Sequence, residues 1–162
     1  MKLFALFISV LLMAVAPDLA LVRQKYVSAA TSAQSAEELH EMLKDVNEGS
    51  SNSTLVAYKA AALTLKAKYA KGLLAKKNLF TEGATLLEGI IKKEPSNYEV
   101  RLIRLNIQEH APKITGYNKK IGEDKSFLIK NYGNQSADLK VFTKNFVKIS
   151  SSFSKEEKSA FQ

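Results

Sequence analysis

The sequence contains no cysteine, which removes disulfide staples, thiolate metal sites, a cysteine nucleophile and the lipid-modified cysteine of a bacterial lipoprotein. Histidine occurs only at His40 and His110, on different predicted helices. "HEMLK", starting at His40, opens like the zinc-protease helix motif, but Lys44 stands where the second histidine would have to be. His110 lies at a predicted helix end, where an imidazole caps carbonyls and suits the helix dipole. A G-x-S-x-G elbow and a glycine-rich phosphate loop are both missing. The carboxylates Glu37, Glu38, Glu123 and Glu156 alternate with lysines at helical spacing, a pattern of surface pairing rather than of tuned acid/base groups. No catalytic residue, metal or cofactor is assigned, and the chain reads as a non-enzyme.

Long apolar runs are also missing. Leu3–Ala16, with Ser9 its only polar member, falls short of the roughly 20 residues a membrane-spanning helix needs. Preceded by Lys2 and ending in small residues before Pro17, it has the order of a cleavable secretory signal peptide. The expectation is an exported protein, periplasmic or secreted, with residues 1–16 as leader, residues 17–162 as one helical domain, and no transmembrane anchor after cleavage.

What is abundant is lysine. The formal net charge is +8, and it is unevenly placed: three Lys/Arg stand against six Asp/Glu between Pro17 and Tyr58, and twenty against ten from Lys59 to Gln162. Such a balance fits either a lysine-coated helical surface or an anionic partner. Nucleic acid is not expected, because no aromatic residues alternate with the lysines to stack on bases.

With only three prolines, and with apolar residues recurring every three or four positions, the chain reads as all-α. The expected helices are Leu19–Ala30, Ala36–Asn47, Thr54–Lys71, Asn78–Lys93, Asn97–His110, Asn118–Tyr132 and Ala137–Ser150, with a frayed end after Ser154. Capping boxes are read at Ser35 with Glu38, Ser96 with Glu99, and Ser154 with Glu157. Pro95 stops one helix and the next restarts at once, so the two should lie antiparallel, with Leu86, Leu87, Ile90 and Ile91 facing the fifth helix. At 100° per residue that helix carries two apolar stripes, Val100, Ile103 and Ile107 on one side and Tyr98, Leu102 and Leu105 nearly opposite. A helix apolar on two sides is sandwiched between neighbours.

The segment "LFTEGATLLEGIIKKEPSN" resembles the second helix and closing turn of a tetratricopeptide repeat, with small Gly83 where helices touch, Leu87 and Ile90 following, and Pro95 and Asn97 in the turn. More widely, "LVAYKAAALTLKAKYA" with "SNYEVRLIRLNIQEHAPKITGYNKKIGEDKSFLIKN" resembles a group of small exported helical proteins of Bacteroidota. The resemblance implies export and a tetratricopeptide-like stack of antiparallel helix pairs, about 6–8 helices in all, and brings no catalytic residue with it.

Two features remain as candidate sites. Arg101, Arg104 and Gln108 share the side of the fifth helix between its apolar stripes, with Tyr117 and Lys125 expected near their edge. The guanidinium forks could take an acidic peptide or protein group in a groove, or could pair with Glu88, Glu94 or Asp124 of neighbouring helices. The seventh helix sets Lys140, Lys144 and Lys148 opposite a face of Leu139, Phe142, Phe146 and Ile149, which suits an anionic lipid or polymer surface, or equally a closing helix with its apolar face in the core. The expected role is a protein-interaction or scaffolding module of the cell envelope, the alternative a basic protein bound to an envelope or lipid surface.

Overall fold

The computed structural model describes residues 17–162. The expected leader, residues 1–16, lies outside the described residues.

Eight α-helices make up the described chain: α1 Leu19–Ala29, α2 Ala33–Leu43, α3 Ser53–Tyr69, α4 Leu73–Lys93, α5 Tyr98–His110, α6 Ile121–Asn131, α7 Ala137–Ile149 and the single-turn α8 Lys155–Lys158. None of them is long and apolar enough to cross a membrane. Most start at a side-chain oxygen that accepts an otherwise unbonded backbone N–H: Asp18, Ser32, Asn52, Asn97, Ser136 and Ser154 do this for α1, α2, α3, α5, α7 and α8.

Two expected caps move. Ser32, not Ser35, starts α2, because Ala33 and Gln34 are good helix formers and let the helix run three residues further back. Asn97, not Ser96, starts α5; Glu94 to Asn97 form a turn closed by Asn97 N donating to Glu94 O at 3.1 Å, with Pro95 in the position where its fixed φ fits. The box at Ser154 and Glu157 is present in both directions. At α4 the helix starts at Leu73 rather than Asn78, since Gly72 (φ +84°) makes the break and the leucines and lysines after it favour helix.

The strongest pairing is the α3/α4 hairpin, and a glycine sets its closeness. A Cβ built on Gly83 would stand 2.5 Å from the carbonyl oxygen of Ala60, so only glycine lets α4 come this near α3. Alanine does the same work from the other side: Ala57, Ala60, Ala61 and Ala62 are all fully buried on α3. In consequence α4 lies mainly along α3, and only secondarily along α5. Leu87, Ile90 and Ile91 still join Val100, Ile103 and Ile107 of α5 in one core, with Leu86 half-buried at its margin.

α5 separates two apolar cores. The first gathers residues of α1 to α4 with Val100, Ile103 and Ile107; the second gathers Leu128, Tyr132, Leu139, Val147, Phe153 and Phe161 with Tyr98, Leu102 and Leu105. Tyr98 and Leu105 are 5% and 0% exposed, so both stripes of α5 are covered, each fully buried large side chain contributing about 1.5–3 kcal/mol.

α7 is turned relative to expectation. Its buried row is Leu139, Thr143 and Val147, with Phe142 and Phe146 half-buried beside it and Ile149 exposed. Thr143 can enter the core because its hydroxyl donates to the Leu139 carbonyl at 2.7 Å.

Candidate functional site

Between its apolar stripes α5 also carries charge into the interior. Spacings of three and four put Arg101, Arg104 and Gln108 on one side, and α6 sets Asp124 against them. The Asp124 carboxylate is 0% exposed and accepts four hydrogen bonds: Oδ1 from Arg101 Nη1 (3.0 Å) and Arg104 Nη2 (2.6 Å), Oδ2 from Arg104 Nε (2.7 Å) and Gln108 Nε2 (2.8 Å). Other donors of the two arginines reach further partners. Arg104 Nη1 reaches Glu88 of α4 at 3.1 Å; Arg101 reaches Glu123 at 2.8 Å and the Pro95 carbonyl at 2.6 Å, its guanidinium lying 4.6 Å from the Phe127 ring centre. Gln108 Oε1 accepts the Lys120 backbone N–H at 2.8 Å, tying the α5–α6 connection to the same cluster.

Electrostatics follow the geometry. Burial works against the Arg104 charge, but its bonds to Asp124 outweigh that and leave the guanidinium more firmly protonated than usual. The Arg101 hydrogen bond, with help from Lys120, holds the half-exposed Glu123 carboxyl down at about 2. With Arg104 only 2% exposed, the stripe is an internal clamp joining α4, α5 and α6, and the partners are the Glu88 and Asp124 of the internal-pairing reading, joined by Glu123. Glu94 is elsewhere, accepting from the Ser53 hydroxyl and from Asn97.

Of the two expected edge residues, Tyr117 is beside the clamp and Lys125 is not. Tyr117 donates to Glu88 at 2.8 Å and packs edge-on against Phe80; burial, then the Glu88 charge, pushes its hydroxyl pKa up. Lys125 instead holds the C-terminal turn, reaching Glu157 at 2.9 Å and the Ser152 carbonyl at 3.2 Å.

A second ionic cluster, not foreseen from the sequence, lies on the other flank of α5. Buried Glu99 accepts a two-point contact from Arg23 of α1, both bonds at 2.7 Å, and a third from the Tyr58 hydroxyl of α3, also at 2.7 Å. The Arg23 guanidinium lies 5.9 Å from the Phe142 ring centre of α7. Glu99 thereby links α5 to α1 and α3, and its bond to Arg23 raises that guanidinium's pKa.

On α7, Lys144 and Lys148 are exposed and Lys140 is half-buried. They share the outer side of the helix with Val141, 60% exposed, while Ile149 at its end is 83% exposed. His40 is half-buried on α2, its Nδ1 without a hydrogen-bond partner among the described residues, and His110 Nδ1 lies 2.8 Å from the Asn106 carbonyl. Among the described residues no three His, Asp or Glu side chains converge as metal ligands would. Two shallow clefts are present, one of about 140 Å³ beside Glu48, Ser53 and Glu94, the other of about 240 Å³ beside Ala36, Glu37, Lys66 and Leu79. The chain matches no family model, no curated protein and no solved structure.

Proposed function

We propose that this chain is an exported, non-catalytic, tetratricopeptide-like scaffold of the cell envelope, periplasmic or secreted, that holds an acidic protein or peptide segment against the outer side of α7. The observation that carries the reading is the pairing of exposed Lys144 and Lys148 with exposed Val141 on one helix side, and Ile149 at its end. Apolar contacts ringed by charge suit a partner that brings carboxylates and a few apolar side chains. Arg101, Arg104 and Gln108 support this role indirectly, by fixing α5 against α6 so that the outer helices keep their places.

The test is cross-linking in the native envelope with the wild-type protein and with Lys144→Glu plus Lys148→Glu. A partner captured by the wild type and lost from the variant, with the melting temperature unchanged, supports the reading. The same proteins captured by both overturn it.

A further inference from the structure

The α3/α4 hairpin ends in a tip that the packing leaves bare. Leu73 is on the α4 side of Phe80, Leu87 and Ile91, which face the interior, yet Leu73 is 85% and Leu74 71% exposed. Lys68, Lys71, Lys76 and Lys77 surround the two leucines in sequence, and no Asp or Glu occurs from Gly49 to Thr81. Among the described residues these four lysines form no ion pair, whereas Lys66, one turn further in, is paired with Glu37 at 3.2 Å. Two of them are tethered at the tip by backbone carbonyls: Lys68 Nζ donates to Ala30 O at 2.6 Å and Lys76 Nζ to Lys68 O at 3.4 Å.

We infer that this tip docks on an anionic lipid bilayer, Leu73 and Leu74 entering the acyl boundary while Lys68, Lys71, Lys76 and Lys77 lie at the depth of the phosphates. The order fits a bilayer because two apolar side chains project together from a turn while cationic groups flank them on both sides, matching a hydrocarbon layer beneath a negative one. The lysine stems can lie along the leucines and still present their ammonium groups outward. No cleft of the tip is needed, which favours a lipid surface over a protein that would have to supply both a pocket and carboxylates. This site is separate from the outer side of α7.

The chain contains no tryptophan, so Leu74→Trp places a single reporter at the tip of the full chain. Its emission is expected to shift to the blue and to be quenched by brominated acyl chains when phosphatidylglycerol–phosphatidylcholine vesicles are added, and to stay unchanged with phosphatidylcholine alone. Ser51→Trp, exposed just before the start of α3 and so beyond the far end of a helix about 26 Å long, should keep its aqueous emission. Adding Lys71→Gln and Lys77→Gln should weaken vesicle binding roughly 25-fold, about fivefold per lysine. An aqueous reporter on vesicle-bound protein, both reporters shifting alike, a tip already buried before lipid is added, or a shift produced by an acidic protein but not by vesicles would each overturn the inference. Lys144→Glu plus Lys148→Glu should leave the tip signal intact, so failure here is distinct from failure of the α7 reading.

Discussion

Removing the carboxylate of Asp124 is expected to cost more than any other single charge deletion around the clamp. Asp124→Ala strips four hydrogen bonds at 2.6–3.0 Å from two arginines and a glutamine that stay buried. Breaking a buried ion pair from one side costs about 3–5 kcal/mol. Here the lower end applies, because Arg104 keeps Glu88 at 3.1 Å and Glu123 at 3.3 Å, and both carboxylates are partly hydrated. A loss of about 3 kcal/mol is a large part of the roughly 5–15 kcal/mol that holds a domain together, and lowers the melting temperature by about 6–12 °C. Asp124→Asn should cost nearly as much, since its amide hydrogens would face the guanidinium donors. Glu123→Ala, about half exposed, should cost less than about 1 kcal/mol. Replacing the cluster together, with Arg101→Met, Arg104→Met and Asp124→Leu, should recover most of the loss, because no buried charge is then left alone. Urea unfolding followed by circular dichroism measures all of these. Equal costs for Asp124→Ala and Glu123→Ala would refute the clamp as described.

Other expectations follow from single positions. Gly83→Ala should destabilise by up to about 2 kcal/mol, because a Cβ 2.5 Å from the Ala60 backbone carbonyl puts the overpacking toward the upper end of about 1–3 kcal/mol, against roughly 1 kcal/mol gained in helix propensity. Gly89→Ala on the same helix meets nothing within 4 Å and should stabilise by about 0.5–1 kcal/mol; chemical denaturation of the pair checks both signs. Because the folded pKa of Glu123 is depressed to about 2, its contribution is present above the ordinary carboxylate value and is lost as pH falls from about 4.5 toward 2, so Glu123→Gln should flatten that part of the stability–pH curve. Burial holds the Tyr26 and Tyr58 hydroxyls above their ordinary range and Tyr98 at about 12, so their contribution is present below pH of about 10 and lost above it. Ultraviolet titration should therefore show phenolate appearing together with helix loss at alkaline pH.

The covered flanks of α5 were legible because a single helix carries its own periodicity: residues 98, 102 and 105, and residues 100, 103 and 107, separate by arithmetic alone. The arginine stripe was legible as a stripe, while its partners stood open, since a donor on one helix does not say whether a carboxylate of the fold or of a ligand will meet it. Glu99 was read as a capping residue because its true partners, Arg23 and Tyr58, belong to helices far away in sequence, and periodicity sees one helix at a time. The turn of α7 escaped for a related reason. Thr143 looks polar until its hydroxyl is seen bonded to its own helix, and Ile149 looks like core until the helix is seen to end there, with the residue 83% exposed. The early start of α4 was concealed by Gly72 and Lys71, which mark a break without saying which side of it the leucines join.

One helix shared by two cores changes how the molecule can come apart. If α5 leaves, both cores lose a wall in the same event, and two buried acids are separated from their arginines. Neither half of the chain can then melt in advance of the other. Heat should find a single transition where the two clusters suggest two, and a backbone nick near Ile114, 96% exposed in the α5–α6 connection, should yield fragments that need each other to stay folded.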